Sequence, residues 1–527
     1  MRGGAAAIAW AFALAALSGR ASGQGAALPE VPVPPTPPSV LPAPATLLAG
    51  QSPLPPTAVA QIPGERVLPI NLATALHLAG AKPLDVQIAG RQVELAARQL
   101  DRAKLLWVPN LVVGTDYFYH DGSQQSFTGD VVQSSRGALA AGVGPNIVFN
   151  VSDAIYAPLA ARQDFQARQA ALRAVANDTA LAVAEVYFAL QQARGELAGA
   201  VLATRKAQEV SRRATSLAEG LAPPLEATRA RVELARRQQA EATARERWRT
   251  TSAELTRILR LDSAALLEPV EPPFLPITVV QENATVDVLI PLALSTRPEL
   301  AAQQAVVRAT LARLKQEKLR PLVPSLALRS VSTNPSGSIG YGAFAGGSGN
   351  QLSTAVGRFD MDVQVLWEFQ ALGFGNRVRA GERRVEHEAA TLELFRTQDR
   401  IAAEVVTAHA QAKSAAERLA LSEPALKDAV DLVDKSLEGL GQTRRAGDFL
   451  TLVVRPQEVV AAVQALGQAN TDFHAAVGDY NRAQFRLYRA LGHPAQYLAS
   501  SLPSPPAATP PAATLPAASA PQPGVGR

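Results

Sequence analysis

From Tyr156 to Leu217 the chain keeps a helical pattern without a break, and Pro158 is its only proline. Leu172, Val175, Thr179, Val183, Val186, Leu190, Ala193 and Leu197 recur at steps of three and four, which puts them on one face of a helix. At 1.5 Å per residue, about 60 residues make a rod of ~90 Å. No single globular core can bury a rod of that length, so it must lie against other rods. The chain supplies them. "EGLAPPLE" (Glu219–Glu226) turns back into the helical stretch "ATRARVELARRQQAEATARERWRTTSAELTRILRL". A second long pattern later in the chain breaks at "TRRAGDFLT" (Thr443–Thr451) and returns in the same way. Apolar residues make up 47% of the sequence but aromatics only 5%, and much of the apolar fraction is alanine. Rods packed closely through small side chains fit that balance.

Ahead of each helical pair stand two segments of strand character. "FDMDVQVLWEF" (Phe359–Phe369) alternates Phe359, Met361, Val363, Val365, Trp367 and Phe369 with Asp360, Asp362, Gln364, Leu366 and Glu368. Successive side chains of a strand point to opposite faces, so one face is oily and the other largely polar. "LAAGVGPNIVFNV" repeats the pattern, with Asn146 on the polar face, and "NLVVGTDYFY" carries Asp116. The fourth strand is "SLALRSVS". A polar loop, "HDGSQQSFTGDVVQSSRG", joins the first pair, and "NPSGSIGYGAFAGGSGNQLSTAVG" the second.

Four strands cannot close a barrel, since the smallest membrane barrels need about eight. No second sheet is available to cover the oily face. The strands are long enough to cross a bilayer when tilted, at ~9–11 residues. One barrel shared between copies satisfies these constraints, with lipid outside and water inside. Two copies give eight strands, three give twelve and four sixteen, and three or more leave room for a channel. The expected pore-lining residues are Asp116, Asn146, Asp360, Asp362 and Glu368, which imply a mildly cation-favouring pore.

The two halves of the chain resemble each other. Pro83 matches Pro298, Arg98 matches Arg313 and Pro109 matches Pro324, each pair 215 positions apart. That constant spacing argues for an internal duplication. The expected organisation is a signal peptide at 1–23, a Pro-rich flexible tether at 24–66, a first repeat at 67–268, a linker at 269–286, a second repeat at 287–498, and a disordered Pro/Ala-rich tail at 499–527. The signal peptide rests on Met1-Arg2, an apolar run from Ala5 to Leu17, and the small residues Ala21-Ser22-Gly23. No later run reaches the ~18–20 apolar residues of a spanning helix, so any membrane span must be β.

Several functions are disfavoured. Net charge is +5 and both signs are interspersed, so nucleic-acid binding is not indicated. There is no cysteine, which excludes disulfides, thiol catalysis, cysteine metal sites and a lipoprotein's acylated N-terminus. "HEAAT" (His387–Thr391) lacks the second histidine of a zinc-protease motif, and six scattered histidines suggest no metal. "GYGAFA" (Gly340–Ala345) fits a dinucleotide-binding spacing, but no strand–helix unit frames it, so it reads as an extracellular loop. Catalytic residues, metal and cofactor are all expected to be absent.

The stretches "RPEL" (Arg297–Leu300) leading to "PSLAL" (Pro324–Leu328), "EGLAPPLEATRARVEL" (Glu219–Leu234) and "DYNRAQFRLYRALG" (Asp479–Gly492) resemble the TolC-type outer-membrane efflux family, over roughly Leu68 to Leu498. The resemblance implies a homotrimer with a twelve-stranded barrel in the outer membrane of a Gram-negative bacterium, continuing into an α-helical periplasmic tunnel. It implies partners too: a periplasmic adaptor and an inner-membrane pump of RND, ABC or MFS type. The alternatives are a periplasmic adaptor protein, which would have one helical hairpin rather than two, and a structural cell-envelope coiled coil, which would need no alternating strands. The turns at Gly220 and Gly447 are expected to form the periplasmic tip, with Leu221 and Phe449 as apolar knobs for the adaptor. The resemblance further implies a charged latch from Glu226 to Arg444 or Arg445. The positions expected to carry acidic rings hold Val453 and Pro456, with Asp448 as a partial replacement.

Overall fold

The computed structural model describes residues 66–80, 82–108, 110–219, 222–281, 284–329, 341–348, 352, 354–359, 362–446 and 449–493. The long rods form as the helical period requires. Helix α3 (Val151–Leu217) has 67 residues and α7 (Phe374–Gly439) has 66. Each is followed by a shorter rod, α4 (Pro224–Leu259) with 36 residues and α8 (Pro456–Ala490) with 35. Pro224 and Pro456 stand in the first turns, where a missing N–H costs nothing. Ahead of the strands lie α1 (Leu72–Ala79), α2 (Leu84–Lys104), α5 (Val286–Thr296) and α6 (Pro298–Leu319).

Helix α3 is central. It packs against α2 and α6 near its start and against α4 and α8 further along, while α7 packs against α6 and α8. The helices therefore run α2–α3–α6–α7 beside the sheet and α4–α3–α8–α7 beyond it. Among the described residues, the margins, α2 with α4 on one side and α7 on the other, pack against no further long helix on their outer flank.

Small residues set how closely these rods approach. Alanine is the commonest residue on the buried face of α3, and Gly195 and Gly199 lie there too. A β-carbon at Gly195 would lie 2.5 Å from His474 Nδ1 of α8, and one at Gly199 would overlap the Asn470 amide. Bulkier buried residues gather where α1, α3, α4 and α8 meet, around Leu76, Tyr187, Phe188, Leu255, Leu259 and Phe485. The Phe188 and Phe485 rings meet edge-on, 5.1 Å between centroids.

Six strands form one antiparallel sheet four positions wide. Strand β2 (Asn110–Gln125) pairs only with β3 (Val131–Asn150). Along the far side of β3 lie two segments, β5 (Ser325–Arg329) and β6 (Tyr341–Ser348). Beyond them, β8 (Asp362–Leu366) pairs β5 and β7 (Thr354–Phe359) pairs β6. Among the described residues the sheet keeps two open edges, at β2 and at β7/β8.

Five features depart from the sequence reading. The stretch His120–Gly137, read as a polar loop, is mostly strand, because β2 runs on to Gln125 and β3 starts at Val131. The glycine-rich stretch read as an extracellular loop contains β6 and β7, because glycine and alanine on β6 fit closely against Ala141 and Gly142 of β3. The strand expected from Phe359 to Phe369 divides between β7 and β8 and ends at Leu366, leaving Glu368 outside the ladder. The second tip is not a bare helix reversal: β9 (Thr443–Ala446) and β10 (Phe449–Leu452) pair as an antiparallel ribbon. Finally, β1 (Arg66–Ile70) and β4 (Ala265–Pro269) form a parallel pair that closes the α1 core. None of the helices among the described residues is long and apolar enough to cross a membrane.

Candidate functional site

The two faces of the sheet differ in chemistry. Register puts Leu111, Val113, Tyr117 and Tyr119 of β2, Leu139 and Val143 of β3, Leu326 of β5, and Val363 and Val365 of β8 on one face. These side chains are not folded away: Val113 is 72% exposed and Leu111 69%. So large a continuous apolar surface calls for an apolar surrounding. The opposite face carries the positions Asp116, Asn146 and Asp362, which the sequence grouped together. Asn146, Arg329 and Asp362 form one cross-strand row. The same face also carries His120 and Arg136, which are directly paired. Basic positions thus share a face with the acidic ones: sequence alternation missed His120 and Arg136 because both fall in the stretch read as a polar loop, and missed Arg329 because it weighed one strand at a time. Glu368 lies past the ladder, where its side chain accepts Gln370 Nε2 at 2.9 Å. Asp360 lies outside the described residues.

At the opposite end, α4 and α8 are joined by polar rungs near their starts. Glu226 is buried in the first turn of α4 and accepts Arg229 Nη1 at 2.8 Å. The same Arg229 nitrogen reaches Gln457 of α8 at 3.1 Å. One heptad on, Glu233 accepts Arg237 Nε at 2.6 Å and Gln464 Nε2 of α8 at 2.7 Å. Arg229, Glu233, Gln457 and Gln464 were not singled out from sequence. Their signal is the matched seven-residue spacing of Glu226 with Glu233 and of Gln457 with Gln464. Two further links tie α3 to α7: Lys206 to Asp434 at 2.7 Å, and Arg213 Nη1 donating to the Leu437 carbonyl at 2.8 Å. Arg444 is exposed on β9, Arg445 belongs to the same strand, and Phe449 opens β10. Gly220, Leu221, Gly447 and Asp448 lie outside the described residues.

Between sheet and tip, "RPEL" has a structural task. Arg297 caps the start of α6, is 3% exposed, and donates to Glu299 at 2.9 Å and to Glu404 of α7. Burial opposes its charge, but Glu404 and Glu299 outweigh that and hold the guanidinium above its ordinary value. Arg489 of α8 joins the same carboxylates, at 2.7 Å from Glu299 and 3.1 Å from Glu404, and also pairs with Asp178 of α3. Four rods are pinned at one level. Lower down, His474 is buried between α3 and α8. Desolvation lowers its pKa to about 4, against a smaller opposing effect of its bond to the Pro273 backbone. Among the described residues, no cluster of histidine and acidic side chains could hold a metal ion.

No protein-family model matches the chain, and no curated protein sequence matches it. Solved structures do. The outer-membrane channel OprN superposes with a TM-score of 0.64 at 16% identity, covering 80% of this chain and 89% of that one. The Campylobacter jejuni CmeC outer membrane channel gives 0.64 at 14% identity, covering 80% and 85%. The Neisseria gonorrhoeae MtrE outer membrane channel, in its open state, gives 0.62 at 14%, covering 80% and 89%. The chain has the fold of these outer-membrane channels, as the resemblance in its sequence implied.

Proposed function

We propose that this chain is the subunit of an outer-membrane efflux channel, a passive exit duct for solutes driven out by an inner-membrane pump. The observation that carries the reading is a sheet four strands wide, open at both edges, with an exposed apolar face, mounted on rods of 66 and 67 residues. In hydrocarbon every backbone N–H and C=O must be paired, so the open edges require other copies. Three copies joined edge to edge give a closed twelve-stranded barrel, and the uncovered flanks of α2, α4 and α7 meet around a helical tunnel. The apolar face then meets lipid and the mixed-charge face lines the pore.

The near-equal lengths of α3 and α7, and of α4 and α8, support two tandem units over 67–268 and 287–498. The region before 24 is the export signal, and the Pro-rich segments at 24–66 and 499–527 are tethers. The turns at Gly220 and Gly447, with Leu221 and Phe449, are the periplasmic tip that receives an adaptor. A latch from Glu226 to Arg444 or Arg445 would have to compete with the Glu226–Arg229 pair. The duct itself needs no cofactor.

Reconstitution tests the reading. The purified full chain in planar bilayers should give ion conductance, and cross-linking should stop at three copies. A protein that stays monomeric in aqueous buffer and leaves bilayers silent would overturn it.

A further inference from the structure

The two strand-to-helix junctions differ. At the first, β3 ends at Asn150 and α3 begins at Val151, with nothing between. Asn150 caps the helix directly, accepting Ser152 N at 3.0 Å. At the second, β8 ends at Leu366 and α7 begins at Phe374, so Trp367–Gly373 are interposed. Ala371 and Leu372 have φ of 46° and 58°, and Gly373 continues at 94°. Residues with a β-carbon rarely adopt that left-handed conformation. The polar members of the junction bond to each other and to α7: Asn376 Oδ1 accepts Gln370 N at 2.8 Å, and Glu368 accepts Gln370 Nε2. The apolar members turn outward. Trp367, Phe369 and Leu372 are 54%, 60% and 92% exposed. A strained turn that delivers a leucine to the outside needs something apolar there to meet it.

What meets it follows from the neighbouring surface. Phe149, Leu326 and Val365 form one cross-strand row on the apolar face of the sheet. Trp107 packs on Phe149 at 4.6 Å between centroids, and Trp367 is the next residue of Val365's parity. The apolar face therefore runs without a break onto the junction. Tryptophan suits the boundary between headgroups and acyl chains, having an apolar body and a polar N–H.

We propose that Trp367–Phe374 is a lipid-embedded wedge. It enters the periplasm-facing leaflet at the base of the barrel and holds the protein at a fixed depth through Trp367, Phe369 and Leu372. Its partner is the headgroup–acyl boundary of a phospholipid bilayer. The inference rests on the outer-membrane reading above. It goes further in assigning lipid contact to a junction outside the strands, present in one half of the chain and missing from the other.

The absence of native cysteine makes the test clean. A Leu372→Cys variant of the full chain carries a single nitroxide label, in vesicles of phosphatidylethanolamine and phosphatidylglycerol. A Thr250→Cys variant, on the exposed face of α4, serves as the aqueous reference. At position 372 dissolved oxygen should relax the label several-fold more effectively than a water-soluble nickel chelate, with the reverse order at position 250. Preference for the nickel chelate at 372 would mean the wedge stands in water, and protection from both reagents would mean that protein, such as a second copy, covers it. Either result overturns the proposal. Conductance of the same vesicles separates the two readings. Conductance with a water-exposed label leaves the channel standing without the wedge, and a lipid-exposed label without conductance does the opposite. If an oxygen-preferring signal is real, Leu372→Asp in a chain labelled at Phe369→Cys should shift that second label towards the chelate.

Discussion

Acid should loosen the contact of α3 with α8 through one side chain, His474. Its ring fills the space left by Gly195, it is buried, and Nδ1 has no hydrogen-bond partner. Its pKa is about 4 in the fold, against 6.5 for the ordinary side chain. The unfolded chain therefore takes up a proton on this histidine before the folded chain does. Stability from the neutral ring is complete above pH 6.5 and is lost as pH falls from there towards 4. The difference of about 2.5 units corresponds to roughly 3 kcal/mol per chain, at 1.36 kcal/mol per unit. Carboxylates also titrate in this range, so wild type alone is not informative. The comparison is with His474→Gln, a neutral side chain of similar reach. Thermal melts followed by circular dichroism in detergent at pH 7.5, 5.5 and 4.0 should show a steeper fall for wild type. The gap between the proteins should narrow as pH drops. Parallel profiles, or a titration of the His474 ring near 6.5 by NMR, would refute the burial argument.

Arg297→Met should cost about 2–4 kcal/mol, because it removes the buried cation shared by half-buried Glu299 and Glu404 and leaves them to Arg489 and the more distant Arg400, and Arg297→Lys should recover little of it; chemical denaturation monitors both. Gly199→Ala should destabilise by about 1–3 kcal/mol through overlap with Asn470, and the double change with Asn470→Ala should recover part of that loss in the same melts. On the proposal that the mixed-charge face lines a pore, neutralising Asp362 alone should move the reversal potential in planar bilayers towards anions, since the paired position in the row is Arg329. Replacing both should leave it near the wild-type value. Breaking the second tip rung with Glu233→Leu should raise single-channel conductance if the α4–α8 rungs narrow the aperture, and unchanged conductance would put the constriction elsewhere.

Some of this architecture is written in local sequence. Helical period and the scarcity of proline determine the rods, because a helix satisfies its own backbone and needs only one apolar face to declare itself. Alternation determines that each strand has an oily and a polar side, and Asp116, Asn146 and Asp362 do share a face. What alternation could not reveal was the company they keep. Arg329 joins the row of Asn146 and Asp362 only once β3, β5 and β8 are set in register. Likewise β1 meets β4 across nearly the whole first half of the chain, a pairing with no local signature. Glu226 was singled out in the sequence, yet its bond to Arg229 and the bridge to Gln457 depend on how α4 and α8 dock. The fit of His474 into Gly195 is decided by two helices whose contacting residues lie far apart in sequence. Period describes one element at a time, whereas partner choice depends on the distances between elements, and those exist only after the rods have packed.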